Sequence, residues 1–255
     1  MRESATAWFP PALVGRVFSL AFLLVAWEFA AWLAHSRLFP GAGAVLATLA
    51  DESLHGELLH HLGATLRRVT LAFALAMALG TVIGIAMARW RAIDTLLDSW
   101  VVLMLNLPAL VIAVLLYVWL GLSEIAAISA VTLSKLPAVI VTLREGARTL
   151  DRDLAEMAGS FRFSPWRTLR HVVLPQLGPF FVIASRTGLA LIWKIVLVVE
   201  LLGRPDGIGY AIQVFFQLFD VRRLIAYALA FVAVVLAVEW GILQPLERRL
   251  TRWRR

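Results

Sequence analysis

Three cations stand inside otherwise apolar runs of this 255-residue chain: Lys135, Arg186 and Lys194. Arg186 and Lys194 are eight residues apart, so on a helix they fall within about 80° of one another. A charge at the centre of a bilayer costs roughly 2.5–3.5 kcal/mol on insertion scales, so such groups face a bundle interior or an aqueous path. The chemistry open to Lys194 and Arg186 is attraction of an anionic solute along a pathway. The structural alternative has Arg186 bonding helix ends on the cytoplasmic side and Lys194 pairing with Glu28, Glu200 or Glu239. Prolines mark two further places. Asn106-Leu107-Pro108 and Lys135-Leu136-Pro137 read as helix interruptions, because proline frees a carbonyl and kinks the chain. Asn106 and Pro108 then form either a gate or shallow site, or a plain packing kink.

Other chemistries find no support. Ser129, Ser134 and Ser185 could serve as nucleophiles, but no histidine lies in the interior of an apolar run. Lys135 is adjacent to Ser134 and cannot face it on a helix. Of the five histidines, His55, His60 and His61 are the nearest to a metal cluster, yet neighbouring residues point to different helix faces. No H-E-x-x-H occurs, and the absence of cysteine removes disulfides and thiolate sites. There is no G-x-x-x-x-G-K-[ST] nucleotide loop. No catalytic residue, metal or cofactor is therefore expected in this chain.

The elements that must position the three cations are membrane helices. The composition is 61% hydrophobic and 16% charged, with mean hydropathy +0.82. Soluble domains sit near 45–50% apolar and about 25% charged. Six apolar stretches are visible, at 17–35, 63–88, 96–120, 124–143, 176–201 and 223–246. All should be helical, because an unpaired backbone cannot cross hydrocarbon. The first stretch is too long for a signal-peptide core and reads as a retained span. The chain is thus expected to be all-α, a polytopic membrane protein with one transmembrane domain over 1–255.

The net charge is +7. In a bilayer protein this reflects Arg and Lys in cytoplasmic loops rather than nucleic-acid binding. With both termini cytoplasmic, fifteen of the 24 cations lie inside, six outside and three within spans. Arg67-Arg68 at the outer end of the second span runs against that count. The basic tail "LERRLTRWRR" reads as an anchor at the anionic inner leaflet. On the outer side, "AIQVFFQLF" reads as a short interfacial helix.

One long charged segment, 144–175, interrupts the apolar pattern on the cytoplasmic side. Asp151 and Asp153 suit a helix N-terminus. Leu150, Leu154, Met157 and Phe161 then share one helix face, and Ala155, Ala158 and Gly159 are small enough for close approach. Ser164-Pro165 starts a second helix, and Pro175 is expected to stop it at the mouth of the fifth span. The apolar face needs a cover, either the protein's own helix ends or another protein.

The stretch "EMAGSFRFSPWRTLRHVVLP" resembles the EAA loop of the permease subunits of bacterial ABC importers. Glu156 matches the pattern's Glu, Ala158 its second Ala, and Val172, Leu174 and Pro175 its closing element. Met157 replaces an Ala, and Arg162 stands where a Gly is expected. If that position is a left-handed turn, Arg costs around 1–2 kcal/mol there, so a differently built turn is expected. The resemblance spans roughly 36–250. "LFPGAGAVLATL", "HLGATLRRVTLAFALAMALGTVIGIAMA", "VVELLGRPDGIGYAI" and "PLERRLTRW" are similar to permeases of the nitrate, sulfonate and taurine subfamily.

The resemblance implies a type I importer fold and a division of labour. Asp151, Asp153, Leu154, Glu156, Met157, Ala158, Gly159, Phe161 and Arg162 would dock on a cytoplasmic ATPase, which alone carries ATP and Mg. Leu174 and Pro175 would end the coupling loop. A second permease copy would complete the pathway in the inner membrane, and a periplasmic binding protein would deliver a small anionic solute. The competing classes are an intramembrane enzyme and an ATP-independent secondary transporter.

Overall fold

The computed structural model describes residues 11–245. The basic tail expected to anchor the chain lies outside the described residues. Among those described there are helices and no strands. The helices are α1 (Pro11–Ala34), α2 (Ala42–Leu54), α3 (Leu58–Arg89), α4 (Arg91–Asn106), α5 (Ala109–Leu120), α6 (Glu124–Arg148), α7 (Arg152–Ser160), α8 (Pro165–Thr168), α9 (Leu174–Gly203), α10 (Ile208–Gln217) and α11 (Val221–Val238).

Four helices are long and apolar enough to cross a bilayer: Leu58–Arg89, Glu124–Arg148, Pro165–Gly203 and Val221–Gly241. A fifth crossing is obtained if α4 and α5 count as one broken span. The sixth expected stretch, 17–35, falls in α1, whose described apolar part, Ala21–Ala34, is shorter than a crossing.

The stretch expected as one span over 96–120 is two helices bent by 101°. Local chemistry accounts for the break. Pro108 lacks an N–H, and the residue before a proline is driven out of the helical region. Leu107 is accordingly extended, at ψ 127°. Asn106 Nδ2 donates to the Val102 carbonyl at 2.8 Å, and Pro108 becomes the N-cap of α5. The other proline expected to interrupt a helix does not. Pro137 lies buried inside an unbroken α6.

Pro175 likewise fails to stop its helix. A π-helical turn at Leu169–Val173 joins α8 to α9, so the helix runs on from Pro165 to Gly203. The wider turn absorbs the missing N–H and the ring of the proline just beyond it.

The core lies where α3, α6 and α9 meet. Small residues set the spacing, as they do where backbones must approach in membranes. A Cβ on Gly84 would stand 2.8 Å from the Ile140 carbonyl oxygen, and one on Gly80 2.6 Å from Val139. Farther along the same helices Ala72, Ala126, Ala130, Val131, Ile192 and Val196 are buried together. Tyr117 of α5 ties in by donating its hydroxyl to the Val199 carbonyl at 2.8 Å. Outside this core large apolar side chains such as Phe22, Val82, Trp119 and Val232 are exposed, as suits a surface facing lipid or a partner.

Candidate coupling and translocation sites

The charged segment folds as its sequence suggests, then departs from it at both ends. Asp151 caps α7: its carboxylate accepts from the Asp153 N–H at 2.8 Å. The Asp151 N–H donates to Gln176 Oε1 at 2.9 Å, which pins the start of α7 to α9. Ala158 is buried. Asp153, Glu156 and Gly159 are exposed. Leu154, Met157 and Phe161 are also exposed, Phe161 at 71%, while Leu150 is half-buried. The chain therefore leaves most of its own apolar stripe uncovered.

Arg162 takes the left-handed conformation, with φ +53°. The turn expected to be built differently is thus kept, with arginine in glycine's place. Phe163 N–H donates to the Ala158 carbonyl and Arg162 N–H to the Gly159 carbonyl, both at 2.9 Å. These two bonds are the Schellman closure of a helix C-terminus, and their geometry demands positive φ at position 162 whatever residue sits there. Ser164 then caps α8 by accepting from the Arg167 N–H, and the Arg167 guanidinium lies 4.4 Å from the Phe163 ring centre. Leu174 and Pro175 are exposed on the continuing helix.

At the root of the segment, Arg144 reaches Asp98 at 2.5 Å and Asp94 at 3.2 Å, and Arg148 reaches Asp94 at 2.6 Å. This joins the last turn of α6 to α4. Sequence reasoning missed it, because residues some fifty positions apart carry no shared spacing signal.

The residues expected along a pathway are not brought together. Arg186 lies 3.8 Å from Glu239, just after α11. Lys194 is exposed on α9. None of its three expected partners turns to it: Glu28 accepts from the Gly43 N–H, Glu200 is committed elsewhere, and Glu239 faces Arg186. Asn106 and Pro108 are exposed at the α4–α5 break. Beside them, Trp100, Met104, Ile83, Leu136 and Pro137 line an apolar cleft of about 160 Å³ between α3, α4 and α6. Lys135, by contrast, is 3% exposed in mid-α6.

The densest polar site is at the other end of the bundle. Arg68 of α3 is 1% exposed and meets three carboxylates: Glu200 of α9 at 2.8 Å, Glu124 of α6 at 2.9 Å, and Asp206 in the α9–α10 connection. Glu200, fully buried, also accepts from Thr65 Oγ1 at 2.9 Å and from the Gly209 N–H at 3.0 Å. Thr65 accepts from the Ile208 N–H at 2.8 Å, and His61 Nδ1 from the Gly207 N–H at 3.1 Å. Three free N–H groups at the start of α10 are thereby satisfied. Gly207 has φ +105°, and a Cβ there would overlap the Glu200 carboxylate. Burial opposes ionisation of Asp206, but the hydrogen bond and charge of Arg68, with Arg204 and Arg67 nearby, hold its carboxyl below the usual range. This network makes Arg68 a neutralised group rather than a free cation. Its sequence signal was the anomalous Arg67-Arg68 pair together with the acidic residues of "VVELLGRPDGIG".

Among the described residues, no group of three or more His, Cys, Asp or Glu is placed to hold a metal.

Comparison with known proteins fits this architecture. The chain is 30% identical over 253 residues to the putative aliphatic sulfonates transport permease protein SsuC of Escherichia coli K12, covering 96% of this chain and 90% of that protein. It is 28% identical over 200 residues to the taurine transport system permease protein TauC of the same strain, covering 78% and 72%. Its fold matches a chain of the inward-facing MetNI methionine ABC transporter with a TM-score of 0.63, at 17% identity, covering 79% of this chain and 99% of that one. Residues 80–252 match the family described as the binding-protein-dependent transport system inner membrane component, and the chain belongs to that family.

Proposed function

We propose that this chain is the membrane-spanning permease subunit of an ATP-driven importer for a small anionic solute of the organosulfonate kind. The cargo class rests on the relatives, which are named for aliphatic sulfonates and taurine. In this reading the whole of 1–255 is one transmembrane domain in the inner membrane. The excess of basic residues in alternate loops supports cytoplasmic termini. Two copies of the chain form the pathway, a periplasmic binding protein docks outside, and ATP and Mg are held by cytoplasmic ATPase subunits.

The observation that carries the reading is the uncovered stripe of Leu154, Met157 and Phe161 on a short helix tied to a far longer one. An exposed apolar face on a water-facing helix suits a partner groove. Asp151, Asp153, Glu156, Gly159 and Arg162 complete the docking surface, while Ala158, expected there too, is buried and packs inward instead. Force applied to α7 passes through the Asp151–Gln176 bond and the Schellman turn into the helix that runs from Pro165 to Gly203.

The test is reconstitution of the permease with its ATPase and binding protein in proteoliposomes. Glu156→Lys should lower uptake at least tenfold while the chain still inserts and ATP hydrolysis no longer responds to the loaded binding protein. Uptake that persists without any ATPase would defeat the proposal.

A further inference from the structure

Every other buried charge among the described residues has an opposite charge beside it. Arg68 has Glu124, Glu200 and Asp206, and Glu52 has Arg223 at 2.8 Å. Lys135 is as buried as these and has none. It sits eleven residues after the start of α6 and thirteen before its end, about 17 and 20 Å along the helix axis. Gly188, on which its side chain rests, is equally central in α9. A Cβ at Gly188 would lie 2.7 Å from Lys135 Cε and 3.5 Å from Nζ. The glycine therefore makes room for the lysine stem in the seam between the two helices. Because the residue is enclosed within one chain, a second copy cannot bring a counter-charge to it without opening that seam.

An unpaired ammonium in mid-bilayer is a standing cost that packing alone does not require, since methionine would fill the same groove. We infer that Lys135 is an anion site in the translocation path, covered by Gly188 in this conformation and uncovered when α9 shifts against α6. Its ligand is a sulfonate or carboxylate group of the solute. The same helix α9 continues from the coupling segment, so the movement that follows ATP binding is the movement that opens the seam. This rests on the permease reading above and adds the residue that recognises the charge.

The test uses the full transporter in proteoliposomes, with labelled taurine and ethanesulfonate as probes. Lys135→Met should lower uptake of both at least tenfold, and Lys135→Arg should retain part of it. The natural chain has no cysteine, so Lys135→Cys is a unique thiol. During ATP turnover it should react with aminoethyl methanethiosulfonate, which restores a cation, and regain at least half of the uptake. The neutral methyl methanethiosulfonate should react and restore none. Wild-type uptake by Lys135→Met, equal restoration by both reagents, restoration by neither, or no reaction during turnover would each overturn the assignment. A wild-type transporter that moves neither sulfonate defeats the cargo reading, and this inference with it, before any variant is made. Wild-type uptake with an indifferent Lys135→Met defeats the Lys135 assignment alone.

Discussion

Arg68 and Lys135 are both long cations, both almost fully buried, and both on core helices, yet their surroundings are opposite. Arg68 is gripped by carboxylates from α6, α9 and the α9–α10 connection. Lys135 lies against Gly188 and forms no ion pair among the described residues. The Arg68 end of the bundle, outer in the proposed orientation, is a closed electrostatic knot that joins α3, α6, α9 and α10. The middle of the α6–α9 seam has no such knot. On the Lys135 proposal, the knot stays fixed while the seam opens.

The strongest way to break this comparison is to truncate both cations. Arg68→Met strands Glu200 as a buried, unpaired carboxylate and should cost about 3–5 kcal/mol of stability. It would be read as a loss of folded protein and a lower unfolding temperature in detergent. Adding Glu200→Gln should recover part of that loss. Lys135→Met removes a charge that has no partner, so stability should be unchanged or rise by about 1–2 kcal/mol. Equal destabilisation by the two truncations would erase the distinction.

A smaller effect is expected at the end of α7. Arg162 pays for its left-handed backbone, and Arg162→Gly should tighten the end of α7 by about 1 kcal/mol. Slower hydrogen exchange at the Phe163 amide, which closes the Schellman turn, would show it. The least effect belongs to the rim of the outer knot. The carboxyl of Asp206 is held below its unfolded value, so its contribution is fully present above about pH 4 and is lost as pH falls through the depressed value. An unfolding midpoint that drops in acid for the wild type, and drops less for Asp206→Asn, would sharpen the picture of Arg68 as the centre of a charged cluster.

Much of the architecture was legible along the chain. The apolar runs mark α3, α6, α9 and α11 to within a few residues at most ends, because lipid-facing helices are apolar over their whole length. Asp151 and Ser164 were readable as helix starts, since a cap acts on amides two or three residues away. The prolines were harder. Pro108 breaks its helix, whereas Pro137 and Pro175 do not. The ring and missing N–H are the same in all three. The outcome depends on whether a neighbouring helix, a π turn or a side chain such as Asn106 deals with the freed carbonyl, and that is not written beside the proline. Lys194 and Arg186 stand on the exposed side of α9 in the single chain, a placement that an apolar run does not reveal, because a run does not tell which side of a helix meets the bundle.

A helical membrane protein, the approximate extent of four of its apolar helices, a charged handle between two of them and the family pattern that the handle carries could all be read along the chain. Those properties depend on composition and on spacings of a few residues, where the chain is its own context. Packing alone settled which cations are neutralised, which is left alone, and that the second helix of the handle runs unbroken into the fifth apolar stretch. Ion pairs such as Arg68–Glu200 join positions 132 apart, and their energy depends on distance and burial, which exist only once the helices have packed.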